Sequence, residues 1–167
     1  MSALSNKPAA LREDHAAFIQ GGVALDLATR DHRNIPRIAR GLCCRVASDR
    51  DRLTIIVANR AIDRFIEALR GTQAIAAVFC LASTHRAIQI KGSDALIEPI
   101  RPTDQDLVEQ AINAFGSDIT RMGYDEAYAH AFARAEMEYR PEQLIGVAFT
   151  PDPVYEQTPG PKAGARL

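Results

Sequence analysis

The stretch I-P-R-I-A-R-G-L-C-C-R-V at residues 35–46 decides how this chain is read. It has the composition of a buried strand that carries cations. Alternation puts Ile38, Leu42, Cys44 and Val46 on one face, and Arg40 falls on that same apolar face. A guanidinium there is costly unless an anionic group meets it. Two explanations stand side by side: an internal ion pair or a strand end reaching solvent, and a bound phosphate.

Working outward, residues 23–30 form a second aliphatic run, and D-H-R-N at residues 31–34 is turn-forming, so an antiparallel hairpin is the simplest connection. Before it, residues 11–20 have the apolar side of a short helix, which Gly21-Gly22 breaks, and residues 1–7 are small and polar and expected to fray. After it, a polar turn at residues 48–51 leads into Leu53–Ala58, a β-branched run suited to a sheet interior. The period then changes. Ile62, Phe65, Ile66 and Leu69 recur at helical spacing and predict a helix over residues 61–70, with Asn59 as N-cap and Gly71 as C-cap. Its first turn carries Arg60 and Arg64 beside unpaired backbone N–H groups, which makes either an anion site or two solvated arginines.

Residues 74–81 are continuously apolar and read as a strand buried on both faces. Residues 86–91 alternate, with Ile88 and Ile90 sharing a face with Arg86 while His85, Gln89 and Lys91 take the other. Residues 95–99 extend the sheet. Thr103 and Asp106 form a capping box opening a helix through Leu107, Val108, Ala111, Ile112 and Phe115 that stops near Gly116. Residues 124–135 predict another helix, and Leu144–Phe149 a last strand. The proline- and glycine-rich tail, residues 152–167, reads as an extended arm. These elements describe a small antiparallel barrel with a short helix between its third and fourth strands and a late helical pair, a closed arrangement that would remove sheet edges.

At 167 residues the chain fits one domain, residues 1–167, with a real core. Its charge of −1, with 25% charged residues, argues against a general polyanion binder, so nucleic acid is not an expected partner. No run is long enough to span a bilayer and no secretory pattern opens the chain, which predicts a cytoplasmic protein with no membrane partner. Cys43, Cys44 and Cys80 sit in apolar runs and are expected as reduced core residues. They lack the spacing of metal ligands, as do the scattered His15, His32, His85 and His130, so no metal site is expected.

Antiparallel neighbours can bring Arg40, Asn59, Arg60, Arg64 and Arg86 toward one rim, and guanidiniums converging without carboxylates make sense around a phosphate. No Walker loop or G-x-G-x-x-G is present to do this instead. At these residues the chain resembles the pyridoxamine 5'-phosphate oxidase-like proteins, over most of residues 23–92. The family's second strand reads approximately P-x-x-R-x-V-L-L-K, and residues 36–45, P-R-I-A-R-G-L-C-C-R, keep the Pro, the Arg, the apolar run and a terminal cation. Its third strand ends F-V-F-Y-T-N, similar to T-I-I-V-A-N at residues 54–59. The helix-opening S-R-K aligns with Asp63-Arg64-Phe65, which keeps the arginine and loses the lysine, and Arg60 stands one helical turn away as its replacement. R-Q-V-x-x-x-G resembles residues 86–92, with Ala87 in place of the glutamine and Gln89 on the same side. The family's C-terminal W-x-x-x-R-L has no counterpart in a chain without tryptophan. The S-T-H-R-x-x-Q-x-K-G pattern and the Q-T-P-G-P-x-A-G ending look more like a less characterised branch than like a strict oxidase of vitamin B6.

The resemblance implies an α+β fold, mainly β with helices: an antiparallel split β-barrel of about six strands with peripheral helices. It implies FMN at a two-fold homodimer interface. Arg40, Arg60 and Arg64 would hold the phosphate. Gly41, Leu42 and Cys43 of the second strand, with Val57, Ala58 and Asn59 of the third, would line the ring. Arg86 and Gln89 would complete the site. The implied activity is that of an FMN-dependent oxidoreductase on a small substrate, with NAD(P)H as a possible donor and no side chain marked as catalytic. Two alternatives share the fold: a flavin carrier or sensor without turnover, and a haem-binding or haem-degrading protein using His85 or His130 as axial ligand.

Overall fold

The structure, a computed structural model, describes residues 10–60 and 62–167. The expected fraying at residues 1–7 and the expected first helical residue, Ala61, lie outside them. The elements run α1 (Glu13–Ile19), β1 (Ala24–Arg30), β2 (Pro36–Val46), β3 (Leu53–Ala58), α2 (Asp63–Thr72), β4 (Ile75–Leu81), β5 (Arg86–Gly92), β6 (Leu96–Glu98), α3 (Asp104–Arg121), α4 (Glu126–Glu136), a 3-10 turn (Pro141–Gln143), β7 (Leu144–Phe149) and β8 (Val154–Glu156). The fold is α+β. Eight antiparallel strands, rather than about six, form one curled sheet in the order β6-β7-β3-β2-β1-β4-β5-β8. Its ladder does not close. The two edges, β6 and β8, are three residues long, too short to template much further pairing.

Period-two patterning fills the inside of the curl. Leu25 and Leu27 of β1, Ile55 and Val57 of β3, Phe79 of β4, Ile88 and Ile90 of β5, and Phe149 of β7 are buried in one core. Phe65 and Leu69 of α2 join that core. A second core lies outside the sheet, where Val108, Ile112 and Phe115 of α3 cover Leu42, Cys43 and Ile56, with Ala129 and Ala133 of α4 packed alongside. On β4 only alternate residues are fully buried, so the expected burial of both faces gives way to one inner face and one half-covered outer face.

The register of β2 corrects the simplest reading of its alternation. Gly41 pairs with Val57 and Cys43 with Ile56, so one residue is added at Leu42 as a β-bulge. Ahead of the bulge, Ile38 and Arg40 share the outer face; behind it, Cys44 and Val46 pack into the inner core and Arg45 takes the outer face. Arg40 therefore never points into the barrel. The buried cation is Arg45, whose Nε donates to Asp104 at 3.1 Å and whose Nη2 donates to Glu98 at 2.7 Å.

Several termini also differ. Asn59 does not cap α2; the N-cap is Ile62, without a side-chain hydrogen bond, and the helix runs past Gly71 to end on Gln73 in the left-handed region. Thr103 makes no cap bond either: its backbone is already helical, at φ −77° and ψ −10°, whereas a capping residue is extended. The Asp104 carboxylate accepts the Arg101 N–H at 2.7 Å and the Arg45 guanidinium. Gly116 does not stop α3. A side chain there would meet the His130 ring at 2.6 Å, so the glycine serves the close approach of α4. The tail lies against its own sheet: β8 pairs with β5, Tyr155 bridges to Arg166, and the Leu167 N–H donates to Val154 at 2.9 Å.

Cys43 and Cys44 are buried and Cys80 is half-buried, all three as free thiols. Burial, with the charge of Asp104 adding to it, pushes the Cys43 thiol up to about 12, and burial raises Cys44 well above its ordinary value. The thiolate is the reactive form. In mildly alkaline solution, thiol labelling followed by mass spectrometry is therefore expected to modify at most Cys80 quickly, and all three residues after unfolding. Rapid native labelling of Cys43 would contradict this packing.

Candidate functional site

The bulge sends Arg40 to the outer surface beside the end of β3, and the chain after β3 brings Arg60 to the same place. Together with Ile38, Leu42 and Ala58 they line a cleft of about 290 Å³, closed on its far side by Ala135, Glu136 and Glu138 at the end of α4. Both arginines are paired with carboxylates. Arg40 Nη1 donates to the two oxygens of Asp26 at 3.2 and 3.3 Å, across the β1–β2 register that sets these residues opposite each other. Arg60 Nη1 donates to Glu138 at 3.3 Å, with both side chains about two-thirds exposed. Ion pairs this exposed hold little free energy and yield readily to a stronger anion.

Four of the residues singled out by sequence, Arg40, Leu42, Ala58 and Arg60, thus meet in one cleft. The others stand elsewhere on this single chain. Val57 is wholly buried in the inner core, and Gly41 faces Leu25 and Ile55 there. Cys43 borders a different cleft, between Gly21-Gly22 and α3, with Leu42 on the wall between the two. Asn59 is exposed, and its N–H donates to the Gln143 carbonyl. Arg64 opens toward the β1–β2 turn. Arg86 lies over the Phe18 ring, 4.1 Å from its centroid, which explains how a cation can share a strand with Ile88 and Ile90. Gln89 pairs with Tyr155 near the opposite edge of the sheet. The four arginines do not converge on one rim, because α2 and β5 carry Arg64 and Arg86 away from it.

Sequence reasoning missed the carboxylates. Asp26 falls at an alternate position of β1 and is legible as an outer-face residue once the strand is paired with β2. Glu136 ends α4 and Glu138 follows it, and both reach the cleft only through the packing of that helix, which leaves no local signal. No histidine lines this cleft: His85 is exposed in a turn at φ 58°, and His130 packs against Gly116. Neither candidate haem ligand faces it.

No family model matches the sequence, and no curated protein is similar to it. Solved structures are. HupZ of Group A Streptococcus is 14% identical, with a TM-score of 0.53, and the match covers 92% of this chain and 100% of that one. A proposed pyridoxamine 5'-phosphate oxidase from Lactobacillus delbrueckii is 15% identical, with a TM-score of 0.51, and covers 93% of this chain and 99% of its own. The chain has the split-barrel fold of the pyridoxamine 5'-phosphate oxidase-like proteins. Among the described residues, no helix is long and apolar enough to cross a membrane.

Proposed function

We propose that the chain binds FMN as a homodimer and is an oxidoreductase acting through it on a small substrate, with NAD(P)H as electron donor. The observation that carries this reading is the meeting of Arg40 and Arg60, from two separate segments, in a cleft that also holds apolar Ile38, Ala58 and Ile62 beside Glu136 and Glu138. Guanidiniums bind phosphate through paired, charge-assisted hydrogen bonds. Ala58, with the exposed Ile38 nearby, gives a flat ring an apolar surface beside that phosphate. When bound, the flavin itself supplies the redox chemistry, and this chain positions it.

The need for a second copy follows from size and surface. At about 290 Å³ the cleft lies at the lower end of small-molecule sites, so a second wall is needed to enclose a flavin mononucleotide. The outer face next to it carries small and apolar side chains around one ion pair. Ala28, Ala76 and Val78 are half-buried there, Ile38 is 71% exposed, and the Asp26–Arg40 pair lies among them. A partner chain on this face would cover the apolar residues and complete the cleft. Three free thiols suit the reducing, cytoplasmic setting of such an enzyme.

Titration of the purified protein with FMN, followed by flavin fluorescence and by sedimentation, tests the reading. A dimer that binds FMN supports it, and a protein that rejects FMN overturns it. Anaerobic reduction of the bound flavin by NADH or NADPH then separates an oxidoreductase from a carrier. The pairing of Glu138 with Arg60 adds a sign. Glu138→Gln removes a competing carboxylate and is expected to tighten FMN by about threefold while leaving riboflavin unchanged. Weaker FMN binding in this variant would place Glu138 among the groups that hold the cofactor.

A further inference from the structure

The outer side of α4 is apolar and exposed. Its inner side packs through Ala129 and Ala133, with Met137 just beyond the helix, in the core that α3 covers. A surface helix with one apolar partner carries charged and polar residues on the opposite side. Here the opposite side presents Tyr128 and Phe132, with Tyr124 just ahead of the helix in line with them. Tyr124 and Tyr128 are 52% and 54% exposed, and Phe132 is 36% exposed. The rings form one row, with centroids 5.7 Å apart from Tyr124 to Tyr128 and 6.2 Å apart from Tyr128 to Phe132. The row continues inward to the buried Phe115 ring, 6.5 Å from that of Phe132, which anchors it.

Beside this ridge runs a groove. Ala127, Ala131 and Ala135 recur at the same four-residue spacing, and all three are exposed. Helices interlock through such i, i+4 ridges and grooves at a crossing angle of about 50°. A two-fold axis along the ridge sets Tyr124 of one copy over Ala127 of the other, Tyr128 over Ala131 and Phe132 over Ala135, and repeats the same contacts in reverse. The face is complementary to itself. Its charge also suits such a pairing, because a residue beside a two-fold axis meets its own like. Ridge and groove carry no charge between Tyr124 and Ala135, and charges of both signs, Asp125, Glu126, Arg134 and Glu136, lie outside the contact rows or at their end.

We propose that this face of α4 is a symmetric interface between two copies of the chain, separate from the sheet face beside the flavin cleft. With the dimer of the flavin reading, the two interfaces close a tetramer of dihedral symmetry; the α4 pairing itself does not rest on that reading. Rings of about 200 Å² each, exposed to these fractions, hide about 300 Å² per copy, to which the alanines add, against about 800 Å² per partner in a standard interface. The pairing is therefore weak and concentration-dependent.

Sedimentation velocity of the full chain over roughly 1–200 μM, with and without FMN, tests it. Ala131→Gln fills the groove at an exposed helical position and removes no ring, so it separates specific pairing from mere stickiness. It should weaken one association step by about tenfold or more, as should Tyr128→Ala, with folding checked by circular dichroism. Raising salt to about 0.5 M should leave that step in place, since no charge lies at its centre. A parent tetramer that Ala131→Gln turns into a dimer supports both interfaces. A parent dimer that becomes a monomer supports the α4 pairing and removes the sheet-face dimer of the flavin reading. An oligomer indifferent to Ala131→Gln overturns the α4 pairing and leaves the flavin reading standing. A parent that stays monomeric at every concentration also overturns it and leaves the face to a different protein.

Discussion

Arg45→Met is expected to remove about 3 kcal/mol of folding stability, because it strands the buried Asp104 carboxylate that the guanidinium now satisfies. Asp104 is fully buried and Arg45 is 13% exposed on its side chain. Besides Arg45, the Asp104 carboxylate has the Arg101 N–H, and Glu98 has the Thr54 hydroxyl at 3.1 Å. Methionine fills much of the arginine stem's volume, so the loss reports the charges and not a cavity. Against a typical total of about 5–15 kcal/mol, this is a large fraction. Urea unfolding measures it, as a fall in midpoint at constant slope. Adding Asp104→Asn should recover part of the loss, since the amide oxygen can still accept from Arg101 without leaving a buried charge. No recovery would assign the effect to lost packing by the arginine stem.

That the stabilising cation is Arg45 and not Arg40 was hidden in the sequence for a definite reason. Strict alternation over residues 35–46 assigns every second side chain to one face, and it predicted the strand itself well. The bulge at Leu42 inverts the alternation halfway along. Nothing in G-L-C-C announces it, because the extra residue is apolar and finds cover under α3 on the outer side. The bulge also separates the two functions of the strand. Its first half lies open with Arg40, and its second half, from Cys43, lies under the helices.

Elements whose identity rests on local pattern were legible. Leu53–Ala58 and Leu144–Phe149 have the bounds their β-branched and aliphatic runs imply. What local pattern could not show was the effect of distant partners. Gly116 reads as a helix stop until His130 is packed against it, and the surface that the tail lies on, β5, is set by a strand far back in the chain. The candidate site divides the same way. Arg40 and Leu42 of β2 meet Ala58 and Arg60 at the end of β3 through adjacent pairing, whereas Glu138 comes from the segment after α4, almost eighty residues further along.

Arg40→Ala is expected to weaken FMN by about 10- to 100-fold, the loss of a charge-assisted contact to a phosphate, while riboflavin affinity stays within about twofold. The comparison isolates the phosphate because the two ligands share the ring and the sugar-alcohol chain. Stability should barely change. The Asp26–Arg40 pair is 38% and 55% exposed on its two side chains, so its removal costs at most about 1 kcal/mol. Arg60→Ala should cost less in FMN affinity than Arg40→Ala, since Arg60 is more exposed and so less well ordered for the phosphate. Asp26→Asn decides between the two readings of Arg40. If the arginine serves only its cross-strand pair, losing either partner has the same effect and neither changes FMN binding. If it clamps phosphate, Asp26→Asn frees the guanidinium and tightens FMN while Arg40→Ala weakens it. Opposite signs from the two halves of one ion pair cannot arise from a purely structural contact.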